Sequence, residues 1–269
     1  MPVTRPNVFN IPASAPFLPA LIDALRTGKL VPGFPASNDP FELARATLYL
    51  PTRRACRLAR DQFLNGLDGD AAILPRIVPL GDLDEDEIVF AGSGTEALAL
   101  PEAIAPLERR LLLAELILQW ANSPAVRSAE GSPLIANTPP AALGLADDLA
   151  RLMDDMTTRQ VAWDRLDGLV PDDLDRYWQM SLDFLKIARE VWPGIRSERG
   201  AIEAAERRDK LIEAEARRLA GSDAPVIAAG STGSMPATAK LLATIAKLPH
   251  GAVVLPGLDM DLDDESWRS

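Results

Sequence analysis

The sequence has very few of the residues from which most metal centres and covalent active sites are built. Its 269 residues include one cysteine, Cys56, and one histidine, His250. A single cysteine cannot form an intramolecular disulfide or supply the several thiolates of a zinc or iron–sulfur site. A single histidine excludes a multi-histidine metal centre. We therefore expect no cofactor in this chain.

Long apolar segments and an excess of basic residues are also missing. No run approaches the ~20 apolar residues of a membrane helix, and the N-terminus lacks a basic-then-apolar leader. These absences predict a protein of the reducing cytoplasm with no membrane partner. The 28 Lys and Arg residues face 39 Asp and Glu, for a net charge of −11. That balance argues against a strongly basic nucleic-acid binder, although it leaves room for a local basic patch.

The composition is that of a globular protein, with 47% hydrophobic and 25% charged residues. Short apolar strands alternate with helices near both ends of the chain. The predicted strands are Val8–Ile11, Ala46–Leu50, Ile73–Leu80, Pro225–Ala229 and Ala252–Leu255. Their nearly continuous apolar character is typical of a buried parallel sheet. The fold class predicted is therefore α/β.

The middle of the chain shows helical spacing and almost no strand pattern. The helix predicted over Leu107–Trp120 is apolar nearly all round, which predicts burial on most sides. The helix over Ile202–Leu219 carries opposite charges three or four residues apart, which predicts a solvated face. We predict a helical subdomain over residues 101–221, inserted into an α/β domain made of residues 1–100 and 222–269.

One arginine-rich helix is a candidate anion site. The helix is predicted to run from Pro51-Thr52 to about Leu64, directly after a buried strand, with Thr52 as its cap. A helix start of this kind attracts phosphate. The arginines close to it are Arg53, Arg54, Arg57 and Arg60. The pattern fits a contact to a phosphate backbone, and it also fits a capped surface helix with solvated arginines.

A second candidate is the turn Gly230-Ser231-Thr232-Gly233-Ser234, between a buried strand and a helix predicted to start near Pro236. A turn rich in glycine and hydroxyl groups can bind an anion through backbone N–H groups. The alternative interpretation is a tight strand-to-helix turn with a hydroxyl cap. The residues alone leave both interpretations open.

The requirements for ATP hydrolysis are not met. A phosphate loop needs Gly-x-x-x-x-Gly-Lys-Ser/Thr after a strand. The first strand is followed by Pro12–Phe17, which contains neither glycine nor lysine and has two prolines. The strand ending at Ala229 is not followed by paired acids that would position magnesium. We therefore predict no catalytic activity for this chain.

Other chemistry-bearing residues favour structural interpretations. The acidic run Asp82–Glu87 does not have calcium-loop spacing, which predicts a solvated loop. We expect Cys56 to be packed in its helix and His250 to lie in a turn. Trp163, Trp178 and Trp192 could stack on bases, although helical spacing favours packing for the last two.

Several short strings, in this order and spacing, resemble the N-terminal region of AddB-type subunits of AddAB helicase–nucleases, especially the alphaproteobacterial type. The strings are Val8–Ala13, Leu50–Ala55, Leu74–Ile77, Leu80–Glu85, Gly230–Ser234 and Pro236–Thr238. The resemblance spans almost the whole chain. It implies a sheet like that of P-loop helicases, interrupted by a helical subdomain and lacking motor chemistry. The nuclease and iron–sulfur regions of the family have no matching residues here.

The resemblance also implies a role in double-strand break repair and recombination. The module would bind or channel single-stranded DNA and dock on the AddA-type motor–nuclease subunit. The strand-to-helix motif of superfamily 1 helicases contacts the single-strand backbone, which implies a DNA contact for Thr52, Arg53 and Arg54. The full candidate set is Thr52, Arg53, Arg54, Arg57, Ser231, Thr232, Gly233 and Ser234. The alternatives are a degenerate P-loop nucleotide-binding hydrolase and a purely structural protein-interaction domain.

Overall fold

The computed structural model describes residues 5–37, 40–65, 73–80, 99–126, 135, 137–166, 176–258 and 265. The strands are β1 (Val8–Ile11), β2 (Thr47–Leu50), β3 (Arg76–Pro79), β4 (Val226–Ala229) and β5 (Gly251–Pro256). The helices are α1 (Phe17–Arg26), α2 (Pro40–Ala44), α3 (Arg53–Asn65), α4 (Pro106–Ala121), α5 (Pro139–Thr158), α6 (Arg176–Lys186), α7 (Trp192–Glu198), α8 (Ala204–Leu219) and α9 (Pro236–Lys247). Among these described residues, no helix is both long enough and apolar enough to cross a membrane.

The chain divides into two compact units. The sheet unit comprises residues 1–98 and 211–269, and the helical unit comprises residues 99–210. The prediction from sequence placed the end of the helical segment at residue 221. In the structure the division falls inside α8, because the second half of that helix packs with the sheet unit.

The sheet is parallel throughout, with the strand order β1-β5-β4-β2-β3. Val8 of β1 pairs with Val253, and Thr47 of β2 pairs with Val226 on one side and Arg76 on the other. The predicted α/β class and parallel sheet are confirmed. Strand β3 is shorter than predicted. Its first hydrogen bond to the neighbouring segment is donated by Arg76 N–H to a backbone carbonyl, because the preceding proline has no N–H to donate.

One face of the sheet is covered by α1 and α3. Leu48 and Leu50 of β2 share a core with residues of both helices, including Phe63 and Cys56, which is buried as predicted. The cap position of α1 is Pro16, which makes no side-chain hydrogen bond.

The opposite face carries α9 and the second half of α8. Because side chains alternate along a strand, Tyr49 points away from Leu48 and Leu50, and its hydroxyl donates to Glu215 of α8. Helix α9 packs on β4 and β5. Lys240 Nζ of α9 lies 3.0 Å from Glu213 Oε1 of α8, which links the two helices. The sheet unit therefore has helices on both faces.

The predicted solvated face of α8 does not include all of its charged residues. Arg207, Asp209 and Glu215 are buried, with exposed fractions of 8%, 9% and 2%. Glu215 pairs with Arg218 one turn later, with Arg218 Nη2 2.7 Å from Glu215 Oε1. Opposite charges at this spacing stabilise a helix on the surface, and they also allow a carboxylate to be buried with its partner.

The helical unit is built on α4 and α5, which pack side by side. Its core contains Leu113, Ile117, Leu149 and Trp192, which confirms packing for Trp192, whereas the side chain of Trp178 lies outside the described residues.

The prediction of burial nearly all round α4 is wrong. Leu107 and Leu111 of α4 are 66% and 54% exposed, because they lie on the face turned away from the core. The acidic run 82–87 also lies outside the described residues.

Candidate nucleic-acid interface at the carboxyl edge of the sheet

The strand order creates a topological switch point between β2 and β4. These strands are neighbours, yet the chain continues from β2 to β3 on one side and from β4 to β5 on the other. In open parallel sheets, ligands bind outside the carboxyl ends of the strands at such a point. The segments that follow are Pro51–Arg57 and Gly230–Ser234, the two candidates predicted separately from sequence. We call them together the carboxyl-edge site.

Direct contacts join the loops at this edge. A Cβ atom placed on Gly230 would lie 3.2 Å from Pro51 Cγ and 3.3 Å from Cε1 of Phe17. Gly230 also has a φ of +78°, which L side chains rarely adopt. The chain passes here in a left-handed conformation against two neighbouring loops, so glycine is required.

The start of α3 is capped as predicted. Thr52 Oγ accepts a hydrogen bond from Ala55 N at 3.1 Å, and Thr52 O accepts one from Cys56 N at 3.0 Å. The cap fixes the direction in which the helix leaves the sheet, and it sets the positive end of the helix dipole at the switch point.

The arginines of α3 are all exposed, whereas Cys56, Ala59 and Phe63 form the buried stripe of the helix. The arginines are Arg53, Arg54, Arg57 and Arg60. Arg60 Nη2 donates to the Ile77 carbonyl of β3 at 3.2 Å. Arg60 is thus tied to the neighbouring strand, an arrangement that helical spacing alone did not reveal.

The loop Gly230–Ser234 is a tight turn organised by its own hydroxyl. Ser231 Oγ accepts from Gly233 N at 3.4 Å, two residues on. Gly233 has a φ of +68°, and a Cβ there would lie 3.2 Å from Leu242 Cδ1. The hydroxyl cap considered for α9 is absent, since the cap position is Met235 and makes no side-chain hydrogen bond. Thr232 and Ser234 are exposed.

A buried ionic network lies beneath the carboxyl-edge site, and sequence reasoning missed it. Tyr49, two residues before Pro51, donates to Glu215, whose two oxygens also accept from Arg218 at 2.8 and 2.7 Å. Burial and the neighbouring carboxylate raise the pKa of Tyr49 far above its ordinary range, and hydrogen bonding to Glu215 raises the pKa of the Arg218 guanidinium. The network holds β2 to α8 with Tyr49 protonated. A tyrosine inside an apolar strand is the one signal that could have suggested it.

The start of α1 is poorly suited to phosphate. Pro16 occupies the cap position and Pro19 the third helical position, so two backbone donors are missing. Phe17, the first helical residue, has its ring against the Gly230 loop. The part of the chain that the structure describes contains no group of three or more His, Cys, Asp or Glu side chains placed to hold a metal ion.

No protein-family model matches the chain, and no curated protein is significantly similar to it. The resemblance to AddB-type subunits therefore remains a prediction. The function has to be inferred from the geometry of the carboxyl-edge site.

Proposed function

We propose that this chain is a non-catalytic superfamily 1 helicase-like module of an AddB-type subunit, which binds or channels single-stranded DNA during double-strand break repair. The observation that carries the proposal is the convergence of two candidate segments at the switch point of the sheet. The capped start of α3 and the Gly230–Ser234 loop come together there through Pro51 and Gly230.

The charge distribution supports a phosphate ligand. The whole chain is acidic, yet the segment from Thr52 to Arg60 contains four arginines and no acidic residue. Arg54 and Arg57 project from the exposed stripe of α3, close to its positive end. Contacts of this kind hold a nucleic-acid backbone without reading its sequence. Thr232 and Ser234 add exposed hydroxyl groups on the other side of the site.

The geometry favours this function over nucleotide hydrolysis. A P-loop presents successive backbone N–H groups and a lysine to the phosphates. At the corresponding place after β1, this chain has Pro12, Pro16 and Pro19, with Phe17 packed against the next loop. In this proposal the motor is the AddA-type partner, and the module described here guides the strand and docks on that partner.

The test is binding of a fluorescently labelled single-stranded oligonucleotide, followed by anisotropy at several salt concentrations. We expect binding that weakens with salt, because phosphate contacts release counterions. The double variant Arg54→Ala, Arg57→Ala should weaken binding by roughly tenfold, and it should reduce the log–log salt slope by about 0.7 for each lost contact.

The matched control is the double variant Lys29→Ala, Arg45→Ala. It removes two equally exposed positive charges from the sheet unit, with side chains 67% and 65% exposed. If both double variants weaken oligonucleotide binding equally, the effect is due to net charge and not to the position of the arginines. Absent or salt-independent binding would favour the purely structural alternative, and micromolar affinity for ATP with magnesium would favour the degenerate hydrolase.

A further inference from the structure

An apolar groove lies on the α9 face of the sheet unit, and the proposed function does not use it. The groove has a volume of about 300 Å³. Its lining is mainly apolar and includes Ala239 and Ala243 of α9, Val253 and Leu255 of β5, and Val8 of β1. We call this space the Val8 groove.

The Val8 groove exposes the least covered strand of the sheet. Both faces of a parallel sheet are normally buried, and all four residues of β4 follow this rule. No residue of β1 is fully buried, and Val8 is 47% exposed. No strand of the described sheet pairs with the outer edge of β1. Native proteins cover or blunt apolar edges of this kind, because they invite pairing with other chains.

The chain that leaves β5 lies against β1 on the side of this groove. Phe9 and Ile11 pack on the core beneath α1 and α3, so the alternating side chains of Val8 and Asn10 point to the α9 face. Asn10 Oδ1 accepts from Leu258 N at 2.9 Å, and Asn10 Nδ2 donates to Leu258 O at 3.5 Å. Leu258 is therefore held on β1, two residues along the strand from Val8.

Gly257 directs the chain to this position. Its N–H donates to Ile11 O at 2.8 Å, and its φ of +59° is in the left-handed region. A Cβ atom on Gly257 would lie 3.4 Å from Cβ of Ala13. The chain thus turns at the end of β5 towards β1, and the residues after Leu258 begin beside the outer strand.

The sequence after Leu258 has the pattern of an edge strand. Acidic residues at 259, 261 and 263 are separated by Met260 and Leu262. Alternation with a period of two is typical of a strand with one apolar face. Six extended residues span about 20 Å, and the twelve residues of α9 span about 18 Å. Residues 259–264 are therefore long enough to follow the groove along α9.

An antiparallel register would place both apolar side chains at the groove. If the register continues from Leu258 beside Asn10, then Met260 lies opposite Val8 and Leu262 lies opposite Pro6. Directly opposite residues of an antiparallel pair share one face of the sheet. Both Val8 and Pro6 line the groove.

Charge at the far end of the groove is complementary to this segment. Lys247 belongs to the lining and is exposed, as is Arg5. Asn7 N donates to Ala246 O at 2.8 Å, which places Lys247 beside the start of β1. In the same register Asp263 lies opposite Arg5. Opposite charges on neighbouring strands stabilise their pairing.

We propose that residues 259–264 form a further strand, antiparallel to β1, which covers the Val8 groove with Met260 and Leu262. The occupant of the groove is thus a segment of this chain, anchored at Leu258. The added strand does not depend on the proposed function, because neither Arg54 nor Arg57 contributes to it.

The test is disulfide trapping in the full chain, after Cys56→Ala has removed the single cysteine. Val8→Cys with Met260→Cys should form a disulfide under mild oxidation, because opposite Cα atoms lie about 4.5–5.5 Å apart. The matched control is Val8→Cys with Asp261→Cys, in which the second side chain points to the other face. We expect loss of both free thiols for the first pair only, as measured by mass spectrometry. Circular dichroism should confirm that both variants are folded.

A second measurement needs no added cysteine. Hydrogen exchange followed by mass spectrometry reports whether the outer N–H groups of β1 are paired. Leu262→Asp should speed exchange in the peptide that contains β1, because it places a charge against an apolar groove. The matched control is Leu111→Asp, which changes an exposed leucine of the helical unit. It should leave exchange in β1 unchanged.

Several results would overturn the proposal. Failure to trap the Met260 pair, or equal trapping of the Asp261 pair, would reject the register and the strand. Equal exchange in β1 for Leu262→Asp and the unsubstituted chain would show that the segment does not cover this edge. A disulfide that links two chains, together with a dimer in light scattering, would assign the groove to a second copy instead.

Discussion

The two units each bury a glutamate, and they satisfy it in opposite ways. In the sheet unit, both oxygens of Glu215 are hydrogen-bonded, by Tyr49 and by the two-pronged contact of Arg218. In the helical unit, Glu203 receives one hydrogen bond from Trp192, and its second oxygen lies 2.8 Å from Arg109 Nε in an ion pair. The comparison separates a carboxylate whose two oxygens are both hydrogen-bonded from one that is held by a single hydrogen bond and by an ion pair.

Replacing these two carboxylates should produce the largest effects and the clearest contrast. Glu215→Ala should lower the free energy of unfolding by about 3–5 kcal/mol, because it leaves Arg218 and the Tyr49 hydroxyl without their buried partner. Glu203→Ala should cost about 1–3 kcal/mol, since Arg109 keeps Asp154. Urea denaturation followed by circular dichroism measures both. An equal cost for the two variants would remove the distinction between the two ways in which these carboxylates are held.

Two glycines extend the comparison to the backbone. Gly230 in the sheet unit and Gly200 in the helical unit both have positive φ, at +78° and +61°. A Cβ on Gly230 would press against Pro51 and Phe17, whereas a Cβ on Gly200 would meet nothing within 4 Å. Gly230→Ala should therefore cost about 2–3 kcal/mol and Gly200→Ala about 1 kcal/mol. Thermal denaturation would test the order, and a larger loss for Gly200→Ala would contradict the close packing of the carboxyl-edge site.

The smallest effect on the free energy of unfolding is expected for two threonines at helix starts. Thr52 caps α3 through its hydroxyl, while Thr138, at the cap position of α5, makes no such hydrogen bond. Thr52→Ala should cost about 1 kcal/mol, and Thr138→Ala should be close to neutral. Chemical denaturation of both variants checks this prediction. If Thr52→Ala is neutral as well, the start of α3 does not depend on its cap.

The sheet was predictable because its strands are nearly continuous apolar runs, a pattern that buried parallel strands require. The cap at Thr52 was predictable because a threonine lies two residues after such a strand, at the start of a helical pattern. The meeting of Pro51 with Gly230 was not predictable, since it depends on β4 lying beside β2, and pairing between distant strands leaves no local signal.

The burial of charged residues in α8 was not predicted, because Glu215 and Arg218 have the same spacing whether they face water or the core. The exposure of Leu107 and Leu111 was not predicted for a related reason, because a helix that is apolar all round does not indicate which side the core covers.

The pairing of β1 with β5 has a consequence for biosynthesis. Asn7 Nδ2, just before β1, donates to the Gly251 carbonyl across 244 residues, and β1 pairs with β5 in the described sheet. At ribosomal rates of about 5–20 residues per second, the interval between the two strands is on the order of tens of seconds. The nascent chain must therefore keep β1 unpaired and accessible until β5 leaves the exit tunnel.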